Sequence, residues 1–420
     1  MKPGIKSILK TPKFLYLWVS QILSQLTISI MNFLLLAKLY DVTGSTIATS
    51  FLWLAFALPA VIFGPIGAAA VDLTSRRKTL MITNLLQALT IFIYLFINQQ
   101  SIFILYTVVL IYSILNQFYN PAEAAYLPST VSKENLAQAN SLFFLTIQAT
   151  LIVGFGFAGL IQKLIGFEGV LILSSIFLFA GFVSTSFLTE IKSEKKIPDE
   201  FEKALKTFFD SILEGYEFIK QNKSVLYPLL LILGIQSGLT IIVVSLPVIA
   251  QEILNISVNY AGVAIVVPAG IGAVIGSIYI PRLMKVGIRK KILIENSMFL
   301  VFVSMAFLAI GVPLLPAFYK VLIAPFVIFL VGIGFVGINI PTLTYVQEVT
   351  PSWLRGRVFG NLGFLITIVT VFPVLFSGAI SEVFGVRTML AIMAFTVLLV
   401  FIYSVKKGKA LVKENFTTAN

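Results

Sequence analysis

Of the 420 residues, 58% are hydrophobic and only 11% are charged, against roughly 45–50% apolar and 25% charged in soluble domains, which excludes a water-soluble globular fold. The chain has no histidine and no cysteine, so disulfides, thiol chemistry, imidazole metal ligation and histidine proton relays are excluded and carboxylates are left as the titrating groups. A formal net charge of +12 fits basic loops lying against anionic lipid and requires no nucleic-acid partner.

Twelve apolar runs follow one another, at residues 14–38, 47–71, 79–97, 102–127, 138–162, 168–189, 225–251, 259–281, 292–311, 318–346, 357–380 and 387–405. Each is close to the ~20 residues that cross hydrocarbon as a helix. The runs are continuously apolar rather than alternating, which favours helices over barrel strands. The expected fold is an all-α membrane protein with twelve transmembrane helices in two six-helix halves.

The first run follows Lys2, Lys6, Lys10 and Lys13 but exceeds the roughly 7–15 apolar residues of a signal peptide, so it reads as a retained helix. Along it Gln21, Gln25, Ser29 and Asn32 recur at spacings of four, four and three, which stacks them on one face expected to look inward. Between runs two and three lies Gly64-Pro-Ile-Gly-Ala-Ala-Ala-Val-Asp72-Leu-Thr-Ser-Arg76-Arg77-Lys78. Run four carries a second polar face, Tyr112, Asn116, Tyr119 and Glu123, and continues into Asn120-Pro-Ala-Glu-Ala-Ala-Tyr-Leu-Pro128 and Leu136-Ala-Gln-Ala-Asn140. Gln148 is an isolated amide in run five.

The longest hydrophilic stretch, residues 190–224, divides the runs six and six. It separates an N-terminal half, 1–189, from a C-terminal half, 225–405, with 406–420 as a tail. Its second part places Phe201, Leu205, Phe208, Ile212, Leu213, Tyr216 and Ile219 on one helical face, as an amphipathic helix on the membrane surface would. Run seven sets Gln236 and Thr240 one turn apart, and run eleven opens near Val349-Thr-Pro-Ser-Trp-Leu-Arg355-Gly-Arg357-Val-Phe-Gly, then Asn361.

The halves echo one another. Pro59-Ala60 before Arg76-Arg77-Lys78 is matched by Pro268-Ala269 before Arg289-Lys290-Lys291, and Asn120-Pro121 before Val131 and Leu136 by Asn339-Ile-Pro341 before Val349 and Leu354. Such matches suggest a duplicated unit with the substrate path between its copies. Of 30 Lys and Arg residues, 26 fall on the side of the N-terminus, the even-numbered loops and the C-terminus, leaving Lys38, Lys163, Lys320 and Arg387 opposite. By the positive-inside rule both termini are expected in the cytoplasm, with the chain in the cell membrane.

The loop around Asp72 and Arg76 resembles the loop 2–3 signature of the major facilitator superfamily. The segments around Asn120, Leu136, Ser211-Ile-Leu-Glu-Gly215 and Val349 are similar to its macrolide-efflux and enterobactin-exporter branch. The resemblance implies that Asp72, Arg76 and Arg77, with Arg355 and Arg357 of the other half, act at the cytoplasmic gate. Positive-inside anchoring is the plainer account of the basic residues. The chain departs from the branch with Leu73 after the loop acid, Thr27-Ile28 near the usual Gly-Asp pair, and Glu123 where a basic residue is frequent.

An ionised group in hydrocarbon is costly, so a carboxyl in a span is normally functional. Glu123 is the best placed for a protonation switch, or else for a gate salt bridge to Arg355 or Arg357; Asp41, Glu252 and Glu382 read as loop residues. The substrate cavity is expected to be lined by Gln25, Ser29, Asn32, Tyr112, Asn116, Tyr119, Gln148, Gln236, Thr240 and Asn361, although polar residues in spans also serve simply to join helices. So little charge suits a small hydrophobic or amphipathic organic substrate, exported with a proton or sodium ion as coupling partner. A lipid or lysolipid flippase, or a facilitator of the same fold, is the alternative. No nucleophile elbow, zinc helix or phosphate loop occurs, so neither an enzyme nor direct ATP drive is expected. No cofactor and no metal is called for, and a monomer suffices.

Overall fold

The computed structural model describes residues 8–97, 101–190, 219–351 and 362–407, with positions 206, 210, 214, 216 and 217. The described residues form helices and turns, without strands. In the first half these are α1 (Pro12–Thr43), α2 (Thr46–Leu73), α3 (Arg76–Tyr94), α4 (Ile102–Tyr126), α5 (136–165) and α6 (167–186). In the second they are α7 (Lys223–Val244), α8 (262–285), α9 (290–314), α10 (Ala317–Val349), α11 (Leu362–Phe384) and α12 (Val386–Lys407). The twelve match the twelve apolar runs.

Local sequence explains most boundaries. Pro12 sits in the first turn of α1, where its missing N–H costs nothing, and Gly44 closes that helix in the left-handed region at φ 61° with its N–H on Tyr40 O. Ser75 and Ser101 cap α3 and α4 by accepting from Lys78 N and Ile104 N. Gly166, at φ 76° and ψ 168°, parts α5 from α6, a conformation that a side chain would resist. Arg76–Tyr94 is the least apolar of the spans because Arg76, Arg77, Lys78, Asn84 and Gln87 lie in it.

The helices run a turn beyond their apolar stretches, since backbone pairing continues until a glycine or a new cap stops it. This corrects the loop assignment of three acids. Asp41 lies in the last turn of α1, Glu252 in the π turn Ile249–Ile253 that extends α7, and Glu382 in α11.

The chain forms two compact units, one holding the residues up to Gly44 with Phe51–Phe209, the other Ser45–Ser50 with Asp210 onward. Helix pairing repeats between them. In the first, α1 packs with α4, α5 and α6, and α3 with α4 and α6; in the second, α7 packs with α10 and α11, and α9 with α10 and α12. Small residues bring the backbones together at equivalent places. A Cβ on Gly67 of α2 would meet the backbone of Gln117 on α4, and one on Gly332 of α10 would meet that of Ala269 on α8.

The expected amphipathic helix at 200–220 lies largely outside the described residues. At its end Ile219 is buried with Val225, Leu229, Ile232 and Val346.

Candidate functional site

In the first unit α1, α2 and α4 border a small hollow of about 10 Å³, room for roughly one water, lined by Met31, Asn32, Leu35, Phe56, Val108, Val109 and Tyr112. Asn32 and Tyr112, singled out from separate polar stripes, are thus brought to one place. Ser113, next to Tyr112, donates from Oγ to Phe56 O at 2.9 Å, so α4 and α2 are joined beside the cavity and its wall is fixed. Tyr112 is 5% exposed, and among the described residues its hydroxyl has no hydrogen-bond partner. A buried hydroxyl without a partner is unfavourable by about 1–3 kcal/mol. The site is a small apolar hollow with one half-buried amide and one buried phenol whose hydroxyl is unmet among the described residues.

The other members of the two stripes divide. Gln25 and Asn116 are half-buried and lie outside the cavity lining. Ser29 is buried where Gly154 of α5 packs on it; a Cβ on that glycine would stand 2.7 Å from Ser29 Cβ. Gln21 reaches α5 with Nε2 to Phe143 O at 3.3 Å. Ser29 and Gln21 therefore join helices. Gln148 lies on the exposed side of α5.

Further along α4, Glu123 is only 6% exposed. Tyr119 OH donates to Glu123 Oε1 at 3.0 Å, Ser20 Oγ of α1 lies 3.2 Å from Tyr119 OH, and Asn84 Nδ2 of α3 donates to Ser20 Oγ at 3.0 Å. The carboxyl on α4 is thereby linked to two other helices, α1 and α3, through hydroxyl and amide groups. Ser20 and Asn84 escaped sequence reasoning. Asn84 and Gln87 are the two amides of the run 79–97, a signal that could have found them; Ser20 sits one residue off the polar stripe of α1.

At the basic end of α3, Arg76 Nη1 donates to Ala125 O at 2.9 Å, and Arg77 Nη2 to Ser186 O. Both guanidinium groups bind part-buried carbonyls near the ends of α4 and α6, as cations at helix C-termini should. Lys78 Nζ lies 3.3 Å from Glu190 Oε1. The side chain of Asp72 and all of Arg355, Arg357 and Asn361 lie outside the described residues.

In the second unit Thr240 donates to Gln236 O at 2.9 Å within α7, while Gln236 Oε1 is buried and without a partner among the described residues. At one end of this unit Glu382 Oε2 accepts from Ser45 Oγ at 3.1 Å, Thr46 N at 2.6 Å, Thr46 Oγ1 at 2.9 Å and Ile47 N at 3.4 Å. The carboxylate caps the start of α2, where free N–H groups and the helix dipole favour negative charge. No group of three or more Asp and Glu that could hold a metal occurs among the described residues.

Comparison with known proteins agrees with this architecture. The family model described as Major Facilitator Superfamily matches residues 17–371. "Macrolide efflux protein A" of Streptococcus pyogenes is 24% identical over 385 residues, covering 89% of this chain and 91% of its own. "Uncharacterized MFS-type transporter YfmI" of Bacillus subtilis (strain 168) is also 24% identical, over 88% and 89%. Among solved structures, the nucleoside transporter NupG superposes with a TM-score of 0.72 at 16% identity, over 94% of this chain and 99% of that one. The POT family transporter PepTSo superposes at 0.69 and 12%, over 95% and 98%.

Proposed function

The chain belongs to the major facilitator superfamily and is a membrane transporter of small molecules, and from that premise we propose that it exports small hydrophobic or amphipathic organic molecules by alternating access, driven by protons. The observation that carries this reading is the cavity between α1, α2 and α4. Its lining is apolar apart from Asn32 and Tyr112, and the Tyr112 hydroxyl has no partner among the described residues. The name of the relative from Streptococcus pyogenes adds support for efflux.

Glu123 is the coupling residue in this proposal. It is a buried carboxyl on the same helix as Tyr112, so proton exchange on α4 acts on the element that also presents the substrate group. The two six-helix halves, 1–189 and 225–405, move about the linker 190–224. Asp72, Arg76 and Arg77 work with Arg355 and Arg357 at the cytoplasmic gate. The protein lies in the cytoplasmic membrane with both termini inside, as 26 of 30 basic residues on one side favour.

The test uses purified protein in proteoliposomes, with proton flux followed against a panel of lipophilic cations, macrolides and lysolipids, and with Glu123→Gln in parallel. Proton flux that depends on substrate and is lost in Glu123→Gln is expected. Transport that persists with the proton gradient collapsed would refute the coupling, and flipping of labelled lysolipid in place of drug transport would make the protein a flippase.

A further inference from the structure

The buried chain that ends on Glu123 has a direction. A hydroxyl carries a single hydrogen, and Tyr119 gives its own to Glu123 Oε1. At the 3.2 Å contact between them Ser20 is therefore the donor and the Tyr119 oxygen the acceptor. The Ser20 oxygen in turn receives Asn84 Nδ2. With Glu123 ionised, and so able only to accept, every donor of the chain points toward the carboxyl, from α3 through α1 to α4.

A protonated carboxyl becomes a donor itself. Its hydrogen then goes to the Tyr119 oxygen, and Tyr119 turns its own toward the α1 hydroxyls beside it, Ser20 and Ser24; when it turns to Ser20, Ser20 needs a new acceptor. Asn84 holds one in reserve: its Oδ1 is buried and has no hydrogen-bond partner among the described residues. Rotation of the amide exchanges Nδ2 for Oδ1 at the same place.

We propose that Asn84 is a positioning residue that reads the protonation of Glu123, its amide turning over as the hydrogen bonds through Ser20 and Tyr119 reverse. No O–H bond of the chain breaks. The proton comes from water and stays on the carboxyl, while two hydroxyls and one amide rotate. The consequence is felt on α6, where Gly181 faces the amide and a Cβ would lie 3.4 Å from Asn84 Nδ2. A proton event on α4 thus reaches the seam of α1, α3 and α6.

Among the described residues, the helices linked to Glu123 carry Lys13, Lys38 and Asp41 on α1 and Arg76, Arg77 and Lys78 on α3; Arg76 and Arg77 are held by Ala125 O and Ser186 O, and Lys78 lies against Glu190. The nearby phenols are Tyr119 and Tyr126, the latter donating to Thr189 O at 2.8 Å. Neither arginine forms a salt bridge with Glu123, so the chain is the carboxyl's link to the rest of the unit.

This inference rests on Glu123 exchanging a proton, but its test does not need transport. Infrared difference spectra of the reconstituted protein between acidic and alkaline pH should contain a protonated-carboxyl band that Glu123→Gln removes. Tyr119→Phe, Ser20→Ala and Asn84→Val are each expected to shift that band toward the frequency of a more weakly hydrogen-bonded acid. Gln87→Leu removes an equally buried amide from the next turn of α3 and should leave the band in place. Should Asn84→Val fail to fold, Ser20→Ala breaks the same link by loss of one oxygen.

A band that moves in Tyr119→Phe but stays put in Ser20→Ala and Asn84→Val overturns the inference, because the chain would then end at Tyr119. Absence of any band sensitive to Glu123→Gln overturns it together with the coupling proposal. Shifts as expected, with transport indifferent to Glu123, uphold the chain and overturn the coupling alone.

Discussion

Tyr112 and Tyr119 stand two turns apart on α4, and the same change, Tyr to Phe, is expected to act with opposite sign at the two. At Tyr112 the ring is buried and the hydroxyl has no partner among the described residues. Keeping an unmet hydroxyl out of water costs about 1–3 kcal/mol, and phenylalanine fills the same volume without it, so Tyr112→Phe should stabilise the substrate-free protein by about 1 kcal/mol. If the hydroxyl is kept for the substrate, the variant should also bind it about tenfold more weakly, equivalent to ~1.4 kcal/mol for one lost hydrogen bond. At Tyr119 the hydroxyl serves Glu123 and Ser20. Loss of a hydrogen bond to a group that can be charged costs about 1.5–3 kcal/mol, and Tyr119→Phe should be destabilised by that amount. Thermal unfolding of the purified variants, with and without substrate, reads both quantities. Tyr112→Phe should unfold at higher temperature than the parent but gain less from substrate. A Tyr112→Phe protein that unfolds earlier, or that keeps the full protection by substrate, would refute the assignment of this hydroxyl to the ligand.

Three other outcomes follow from contacts of different kinds. Gly67→Ala and Gly332→Ala each drive a Cβ into a facing backbone, where no side chain can yield; each should cost about 3 kcal/mol, at the upper end of overpacking, and lower the midpoint of thermal unfolding. Glu382→Ala deprives the start of α2 of a carboxylate with four donors; a loss of about 1.5–3 kcal/mol would loosen that turn roughly 10–100-fold. Because the chain has no cysteine, Ser50→Cys supplies a single buried thiol, and its maleimide labelling should accelerate by that factor when Glu382→Ala is added. Asn32→Leu removes the amide of the cavity lining and should shift the substrate range toward purely apolar compounds in the proteoliposome assay, with stability changed by less than about 1.5 kcal/mol.

Lipid makes the fold legible. A span must be apolar and satisfy its own backbone, so the run 102–127 could scarcely be anything but α4, Ile102–Tyr126. The boundaries that were missed share one cause. The apolar runs end at residues 38 and 380, ahead of the acids Asp41 and Glu382, yet the helices continue to Thr43 and Phe384 because intrahelical hydrogen bonds do not depend on side-chain polarity. Asp41 and Glu382 consequently read as loop residues. In Glu382 the error concealed a role, since only a helical carboxyl held at that place can cap the start of α2.

The site was legible along each helix and not across helices. Spacings of three and four residues put Gln21, Gln25, Ser29 and Asn32 on one face of α1, but a helix of 32 residues has about nine turns and meets different neighbours along its length. Gln21 finds a carbonyl on α5, Ser29 finds Gly154, and only Asn32 reaches the cavity beside Tyr112. The partners of Glu123 lie 39 and 103 residues away, at Asn84 and Ser20, on helices whose order in the chain does not say which sides meet. What the sequence does carry is the cost. An amide such as Asn84, placed among leucines in hydrocarbon, needs a partner wherever it lies. Polar residues in the least apolar span therefore deserve the same scrutiny as a lone carboxyl, because the hydrogen bonds they require are what bind α3 to α1 and, through Tyr119, to Glu123.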